Sequence, residues 1–205
     1  MKIIKYALIT ATFLLVGYNS IEIKPLDKVK KGTSGKFDAA AYARDFLRKT
    51  MPTAFNKATP ILDLVSLLNT DKDKTFNDLS HAVSIGNVRY FLVKGEGVIS
   101  KINEDDVVLL VKNADKTITV RIATEFIYGN AVRDAAGLFD IKKFTSNTDI
   151  NNVAGEINKI IRTEVVPPFK QKIKIGDTVQ FIGAVEMNQE HPQTDNLEVL
   201  PIELK

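Results

Sequence analysis

Residues 88–102 have the sequence VRYFLVKGEGVISKI, and this stretch decides the fold. Two runs rich in apolar and β-branched residues, 88–93 and 98–102, are typical of strands. Gly95 and Gly97 lie between these runs. Glycines inside a strand pattern indicate a bulge or a sharp bend. We therefore expect one long strand over 88–102 that coils at the two glycines.

The sequence that follows continues as short strands around one clear helix. The elements, in chain order, are strands at 107–112 and 117–123, a less regular stretch at 124–147, a helix capped by Thr148 or Asp149 and stopped by Val165-Val166-Pro167-Pro168, and strands at 178–187 and 197–204. An OB-fold barrel has three strands, a helix and two strands in a closed Greek key. We predict an α+β chain in which residues 86–205 form an OB-like antiparallel β-barrel. A generic antiparallel α+β sheet with the same order of elements is the alternative.

Two or three helices are predicted ahead of this barrel, over residues 38–82. Apolar residues recur at helical spacing over 38–50, and Met51-Pro52 is expected to end that helix. A second helix covers about 54–69, with a restart at Thr59-Pro60, and a short helical turn is expected at 75–82. Residues 37–205 are therefore predicted to be one α+β domain.

The first 20 residues have the pattern of an export signal. Lys2 and Lys5 are the only charged residues before Glu22, and residues 6–16 are almost wholly apolar. This apolar run is shorter than the about 20 residues that a membrane span requires. A basic start, a short apolar run and small or polar residues are typical of a secretory signal.

The end of this signal is similar to a bacterial lipobox. Leu15-Val16-Gly17 fits the motif, but Tyr18 stands where the lipid-accepting cysteine belongs. A phenol cannot form the thioether that carries the lipid. Three alternatives follow: the signal is cleaved by another route, it persists as an uncleaved anchor, or the cysteine has been altered in this version of the chain.

Residues 21–36 are predicted to be a tether. Five lysines lie there among Gly32, Ser34 and Gly35, which favours a solvated linker over a segment that contacts anionic lipid heads. The chain has 28 Lys and Arg against 25 Asp and Glu, and loss of Lys2 and Lys5 with the signal leaves 26 against 25. A net charge near +1 provides little attraction for nucleic acid, so we expect no nucleic-acid partner.

Cofactor and catalytic signatures fail one after another. The chain has no cysteine, which excludes disulfides, thiolate metal sites and a cysteine nucleophile. The segment 32–36 lacks the first glycine and the final Ser or Thr of a phosphate loop. His81 and His191 have no second metal ligand at helical or hairpin spacing. We therefore expect no cofactor, no metal and no catalytic residue.

The stretch Gly129–Ala135 is the most unusual part of the sequence, because Arg133-Asp134 lies between small and apolar residues. A buried arginine needs acceptors for its donors. Arg133 and Asp134 are therefore either a structural clamp between this loop and the barrel, which we favour, or part of an anion-binding ligand site. Asn147 is expected to bond local backbone at the turn into the long helix.

Several motifs occur together along the chain. They are the lipobox-like start, Val93-Lys94-Gly95-Glu96-Gly97, Gly129-x-Ala131-Val132-Arg133-Asp134-Ala135, Phe144-Thr145-x-Asn147, Glu156-Ile157-Asn158, and Gly176-Asp177-x-Val179-x-Phe181-x-Gly183-Ala184. In this order they resemble a family of predicted bacterial periplasmic lipoproteins of unknown function. The resemblance implies export, a lipid anchor, an OB-like core and an accessory role near sugar-uptake transporters.

The function expected from these observations is a non-catalytic envelope protein. Its N-terminal segment would hold it at the membrane, and its domain would contact another envelope protein or a small ligand. An OB domain that binds oligosaccharide or oligonucleotide is the alternative. The aromatic residues that could serve a sugar in the barrel region are Tyr90, Phe91, Phe126 and Tyr128.

Overall fold

The computed structural model describes Tyr6 and residues 37–205. The lipobox-like residues Leu15, Val16, Gly17 and Tyr18 and the tether at 21–36 lie outside the described residues. Residues 38–205 form one compact unit.

The longer helices and the barrel strands of this unit follow the predicted order, and two short helices that were not predicted occur at Ala131–Asp134 and Val166–Lys170. The helices are α1 (Ala39–Asp45), α2 (Ile61–Thr70), α3 (Lys72–Leu79), α4 (Ala131–Asp134), α5 (Asn147–Ile160) and α6 (Val166–Lys170). The strands of the barrel are β1 (Val88–Ile102), β2 (Asp106–Lys112), β3 (Thr117–Ala123), β4 (Thr178–Asn188) and β5 (Leu197–Leu204).

The five strands close into a barrel. Antiparallel pairs join β1 to β2, β2 to β3, β4 to β5 and β1 to β4, and a short parallel pair joins β3 to β5. The ring is therefore β1–β2–β3–β5–β4, and α5 lies in sequence between its third and fourth strands. This is the order of strands, helix and two strands that the sequence predicts for an OB-like barrel.

The long strand β1 forms many of the strand pairings that close the barrel. Its residues 88–98 pair with β4 in an unbroken antiparallel register, and its residues 98–102 pair with β2. The other edge of its first half pairs with two short strands from the helical region, Thr59–Pro60 and Ser80–His81. Strand β1 is therefore hydrogen-bonded to neighbours along both edges, and the N-terminal helices are attached to the barrel through backbone pairing.

Alternating side chains of β1 enter two different apolar cores. Phe91 and Val93 point into the barrel, where they pack with α2 and α3; the rings of Phe76 and Phe91 meet edge to face at 5.1 Å. Tyr90 and Leu92 point outward and are covered by a layer that contains residues of α1, α4 and α5. Because side chains alternate along a strand, one strand supplies both cores.

Three local boundaries differ from the sequence prediction. Pro52 does not end the first helix, which continues as a π-helical turn at Phe46–Thr50 and a 3-10 helix at Met51–Lys57. A proline in a first helical turn loses no hydrogen bond, since its N–H would be unpaired there. Pro167 and Pro168 are accommodated in the first turn of α6 for the same reason. Ser146, rather than Thr148 or Asp149, caps α5, because its side chain accepts a hydrogen bond from the Asp149 N–H at 3.1 Å.

Gly183 sets the closest approach between β4 and β5. A Cβ at this position would lie 2.4 Å from Val199 Cγ1 and 2.6 Å from the carbonyl oxygen of Leu200. The β4–β5 register shifts between Ile182 and Gly183. The absence of a side chain therefore lets the β5 backbone cross β4 at this irregularity.

We expect Gly183→Ala to lower the free energy of unfolding by about 2–3 kcal/mol, because a methyl group there overlaps backbone as well as side chain. The matched control is Gly155→Ala. Gly155 lies in α5 and has open space where a methyl group would stand, so alanine should raise stability by about 0.5–1 kcal/mol through helix propensity. Urea unfolding followed by circular dichroism measures both, and equal stabilities for the two variants would contradict the packing argument.

Candidate functional site

Arg133 and Asp134 form a buried, bidentate ion pair within α4. Arg133 Nε donates to Asp134 Oδ1 at 2.6 Å, and Arg133 Nη2 donates to Asp134 Oδ2 at 3.1 Å. Their side chains are 3% and 0% exposed. Such a pair is costly to bury and is held only when further contacts satisfy its remaining donors and acceptors.

Those further contacts come from three other segments. Arg133 Nη1 donates to the carbonyl oxygen of Ile150 in α5 at 3.4 Å, and the guanidinium carbon lies 4.9 Å from the centre of the Phe139 ring. Asp134 Oδ2 accepts from the backbone N–H of Val83 at 3.1 Å. The pair therefore joins α4 to α5 and to the segment that leads into β1, and this geometry favours the clamp over the anion-binding alternative.

Asn147 does not join this cluster. It is the exposed first residue of α5, and among the described residues it forms no hydrogen bond with Arg133 or Asp134. Ser146 performs the local backbone bonding that Asn147 was expected to perform.

A cavity of about 330 Å³ lies beside the clamp. Its walls come from the 3-10 helix and the short strand at 59–60, from α3 and the short strand at 80–81, from β1, and from the segment after α4. Its lining residues are Thr53, Ala54, Lys57, Thr59, Asp78, Leu79, His81, Leu92, Ala135, Ala136 and Leu138. Arg133 is not among them. The clamp therefore positions one wall of this cavity without contributing its charge to it.

His81 and Gly137 meet next to this cavity. Gly137 has a φ of +65°, and a Cβ there would lie 2.7 Å from the His81 ring. Burial, reinforced by the charge of Arg89, holds the pKa of His81 below its ordinary value. The imidazole is consequently uncharged at neutral pH, with one nitrogen able to donate and the other able to accept.

A second surface feature lies on the loop after β3. Phe126 and Tyr128 are 62% and 60% exposed, while Ile127 between them is fully buried. The guanidinium carbon of Arg162 lies 4.8 Å from the centre of the Tyr128 ring, and Arg162 Nη1 donates to the Ile127 carbonyl. We call Phe126, Tyr128 and Arg162 the aromatic patch.

The loop that carries the aromatic patch is tied down at both ends. The N–H groups of Thr124 and Glu125 donate to the carbonyl of Asp105 at 2.8 and 3.3 Å. Asn158 Nδ2 in α5 donates to the carbonyl of Gly129 at 2.9 Å. The two exposed rings are therefore presented from a fixed backbone.

Two of the four expected aromatic candidates are not available to a ligand. Tyr90 and Phe91 are buried in the two cores on either side of β1. The expectation that they could serve a sugar surface is therefore wrong, and only Phe126 and Tyr128 of that set remain exposed. The cavity beside His81 was not foreseen, because its walls come from four stretches that are far apart in the chain and no local motif marks it.

Comparison with protein families places these features in context. The family model described as predicted periplasmic lipoprotein (DUF2291) matches residues 11–205. The chain belongs to this family. The match runs from within the export segment to the last residue of the chain, and it supports a periplasmic, envelope-associated location.

The comparison with solved structures confirms the fold of this predicted periplasmic lipoprotein. An OB-fold protein from Thermotoga maritima is similar to it with a TM-score of 0.73 and 25% identity, over 83% of this chain and 99% of that one. The comparison with curated proteins finds no match. Among Tyr6 and residues 37–205, no helix is long and apolar enough to cross a membrane.

We expect Arg133→Ala to lower the free energy of unfolding by about 3–5 kcal/mol, because Asp134 then stays buried without its partner. The matched control is Arg44→Ala. Arg44 Nη2 and Nη1 also donate to a carboxylate, that of Glu164, at 2.7 and 2.8 Å, but this pair is exposed and screened by solvent, so its loss should change stability far less. Chemical unfolding checks both variants. Equal, small losses in the free energy of unfolding would show that the buried Arg133–Asp134 pair does not contribute more to stability than the exposed pair.

Proposed function

We propose that this predicted periplasmic lipoprotein is a non-catalytic accessory module that binds another envelope protein through its aromatic patch. Its N-terminal segment holds it at the membrane, and its domain supplies the binding surface. The accessory role near sugar uptake that the resemblance implies is part of this proposal. The observation that carries it is the exposure of two large aromatic side chains on a loop with a fixed backbone.

The composition of the patch fits a protein partner. Aromatic residues and arginine are enriched where partners contribute most binding energy, and such residues lose little entropy when their backbone is already fixed. Arg162 uses one nitrogen for the Ile127 carbonyl, and its other nitrogens form no hydrogen bond with any described residue. They are free to donate to carbonyl or carboxylate groups of a partner.

The charge balance of residues 37–205 and the placement of their ionisable groups favour a non-catalytic role in which nucleic acid is not bound. Residues 37–205 contain 21 Lys and Arg against 23 Asp and Glu, so the domain is slightly acidic. Phosphate backbones are bound by clusters of positive charge, which this balance does not favour. In the described part of the chain, no group of three His, Asp or Glu side chains is placed to hold a metal ion. The buried ionisable pair, Arg133 and Asp134, is already occupied by protein contacts.

An OB-type oligosaccharide-binding protein is the second candidate. The aromatic patch also favours it, because the open faces of Phe126 and Tyr128 could stack on the apolar face of a sugar ring. The two candidates share the same residues and differ in what covers them. They are separated by testing a protein partner and a sugar on the same variants.

Photo-crosslinking in intact cells tests the protein partner. Benzoylphenylalanine at Phe126 or Tyr128 should give one discrete adduct, because the proposed partner covers both rings. The control position is Ile175, which is 68% exposed and far from these residues in sequence. The partner identified from the adduct, once purified, should bind the Tyr128→Ala chain at least about tenfold more weakly and the Ile175→Ala chain unchanged.

Two results would contradict the proposal. One is the same set of adducts from Ile175 as from Tyr128, which would indicate unspecific collision. The other is a saturable change in the ring NMR signals of Phe126 and Tyr128 when maltohexaose or cellohexaose is added, while crosslinking gives no protein adduct. That combination would favour the sugar-binding candidate.

The membrane tether is tested separately at Tyr18. Only a thiol at this position can accept a diacylglycerol, so the chain with Tyr18 should incorporate no labelled palmitate in a bacterial host. Tyr18→Cys should incorporate the label, lose its signal and fractionate with membranes. Failure of Tyr18→Cys to take up label would show that Leu15-Val16-Gly17 is no lipobox, and the segment would then be an ordinary cleaved signal or an uncleaved anchor.

A further inference from the structure

We propose that the cavity beside the Arg133–Asp134 clamp binds a small organic anion with an apolar body, such as a monocarboxylate. This site is separate from the aromatic patch and goes beyond the function proposed above. Its volume, about 330 Å³, lies within the range of small-ligand sites. We call it the Lys57 cavity.

The lining of the Lys57 cavity divides into an apolar part and a polar part. The apolar part consists of Ala54, Leu79, Leu92, Ala135, Ala136 and Leu138. The polar part consists of two threonines, Lys57, Asp78 and His81. Small-molecule sites combine apolar walls with polar groups that orient the ligand, and this lining has both kinds of group in nearly equal shares.

The lining of this cavity contains one cation, Lys57, and one carboxylate, Asp78. The Asp78 carboxylate is already paired with the Lys74 ammonium at 2.9 Å. The Lys57 ammonium, in contrast, forms no hydrogen bond or ion pair with Tyr6 or with any residue of 37–205. His81 adds a neutral donor and acceptor, because burial lowers its pKa. A carboxylate can therefore pair with Lys57 and take a hydrogen bond from His81 or a threonine.

The walls of the cavity are fixed at some cost in stability. The Arg133–Asp134 pair is almost fully buried, and Gly137 adopts a positive φ with the His81 ring against it. Both features hold the segment that carries Ala135 and Ala136 against the rest of the domain. The small side chains at these two positions leave open the space that a larger residue would fill. A rigid wall beside a preserved space is a preorganised binding site.

Three six-carbon probes test the proposal on the purified, isotope-labelled full-length chain. In NMR spectra, hexanoate should shift the backbone amide signals of residues 135–138 and the ring signals of His81 in a saturable way. Hexan-1-ol, which has the same apolar body without charge, should bind at least about fivefold more weakly, the factor that one partly screened ion pair supplies. Hexylamine should cause no saturable shift, because its charge repels Lys57.

Two variants locate the binding. Lys57→Met should weaken hexanoate about fivefold and leave hexan-1-ol unchanged, whereas Lys112→Met, an exposed lysine on β2, should change neither. Ala136→Leu should abolish binding of both probes by filling the cavity. If Ala136→Leu fails to fold, as the dispersion of its amide signals shows, the Lys57→Met result decides.

Three outcomes would overturn the proposal. The first is the absence of any saturable shift with hexanoate. The second is a hexanoate affinity that equals that of hexan-1-ol and survives Lys57→Met. The third is a set of shifts on Lys172, Ile173 and Asp177, which line a separate groove of about 650 Å³. Tyr128→Ala should leave hexanoate binding unchanged, so that failure of the aromatic patch and failure of the Lys57 cavity are told apart.

Discussion

The pairing of β1 along both of its edges is the constraint on which the rest of this structure depends. One edge is bonded to β4 from residue 88 to 98, and the other is bonded first to two short strands of the helical region and then to β2. A strand can change partners in this way only if it bends, and Gly95 and Gly97 lie where the change occurs. A Cβ at Gly95 would lie 2.6 Å from the Phe181 ring, and one at Gly97 would lie 2.9 Å from Val111. The two glycines therefore serve the close packing of the barrel as well as its bend.

The position of β1 also explains how one chain segment organises two cores. Its inward side chains join the barrel core with α2 and α3, and its outward side chains Tyr90 and Leu92 join the layer that includes α1, α4 and α5. The Arg133–Asp134 pair lies in this outer layer, where it links α4 to α5 and to the segment before β1. Buried pairs of this kind contribute little net stability compared with apolar residues of similar size. We interpret the pair as the element that fixes one arrangement of these segments.

The proposed functions use two places at the surface of this outer layer. At the aromatic patch, Ile127 anchors the loop and Phe126 and Tyr128 are exposed on either side of it. At the Lys57 cavity, the segment after α4 forms a wall whose position the buried pair determines. Phe126 and Tyr128 of the patch, and the cavity wall at 135–138, lie on connections between regular elements, which is where binding residues are commonly found on a rigid scaffold. On these two proposals, the chain combines a surface for a large partner with a cavity for a small ligand.

The sequence by itself determined the order of the elements, the OB-like barrel, and the export pattern at the N-terminus. These are local signals: β-branched runs, glycines within a strand, helical spacing of apolar residues, and a charge-free start. It also indicated that Arg133 and Asp134 are buried, because small and apolar residues flank this charged step on both sides. Only the tertiary structure decided that Tyr90 and Phe91 are covered while Phe126 and Tyr128 are exposed, because an aromatic residue has the same local pattern in either case. Tertiary packing likewise decided that Pro52, Pro167 and Pro168 lie within helical segments and that four separated stretches of chain enclose the Lys57 cavity, because those features depend on contacts between residues far apart in the chain.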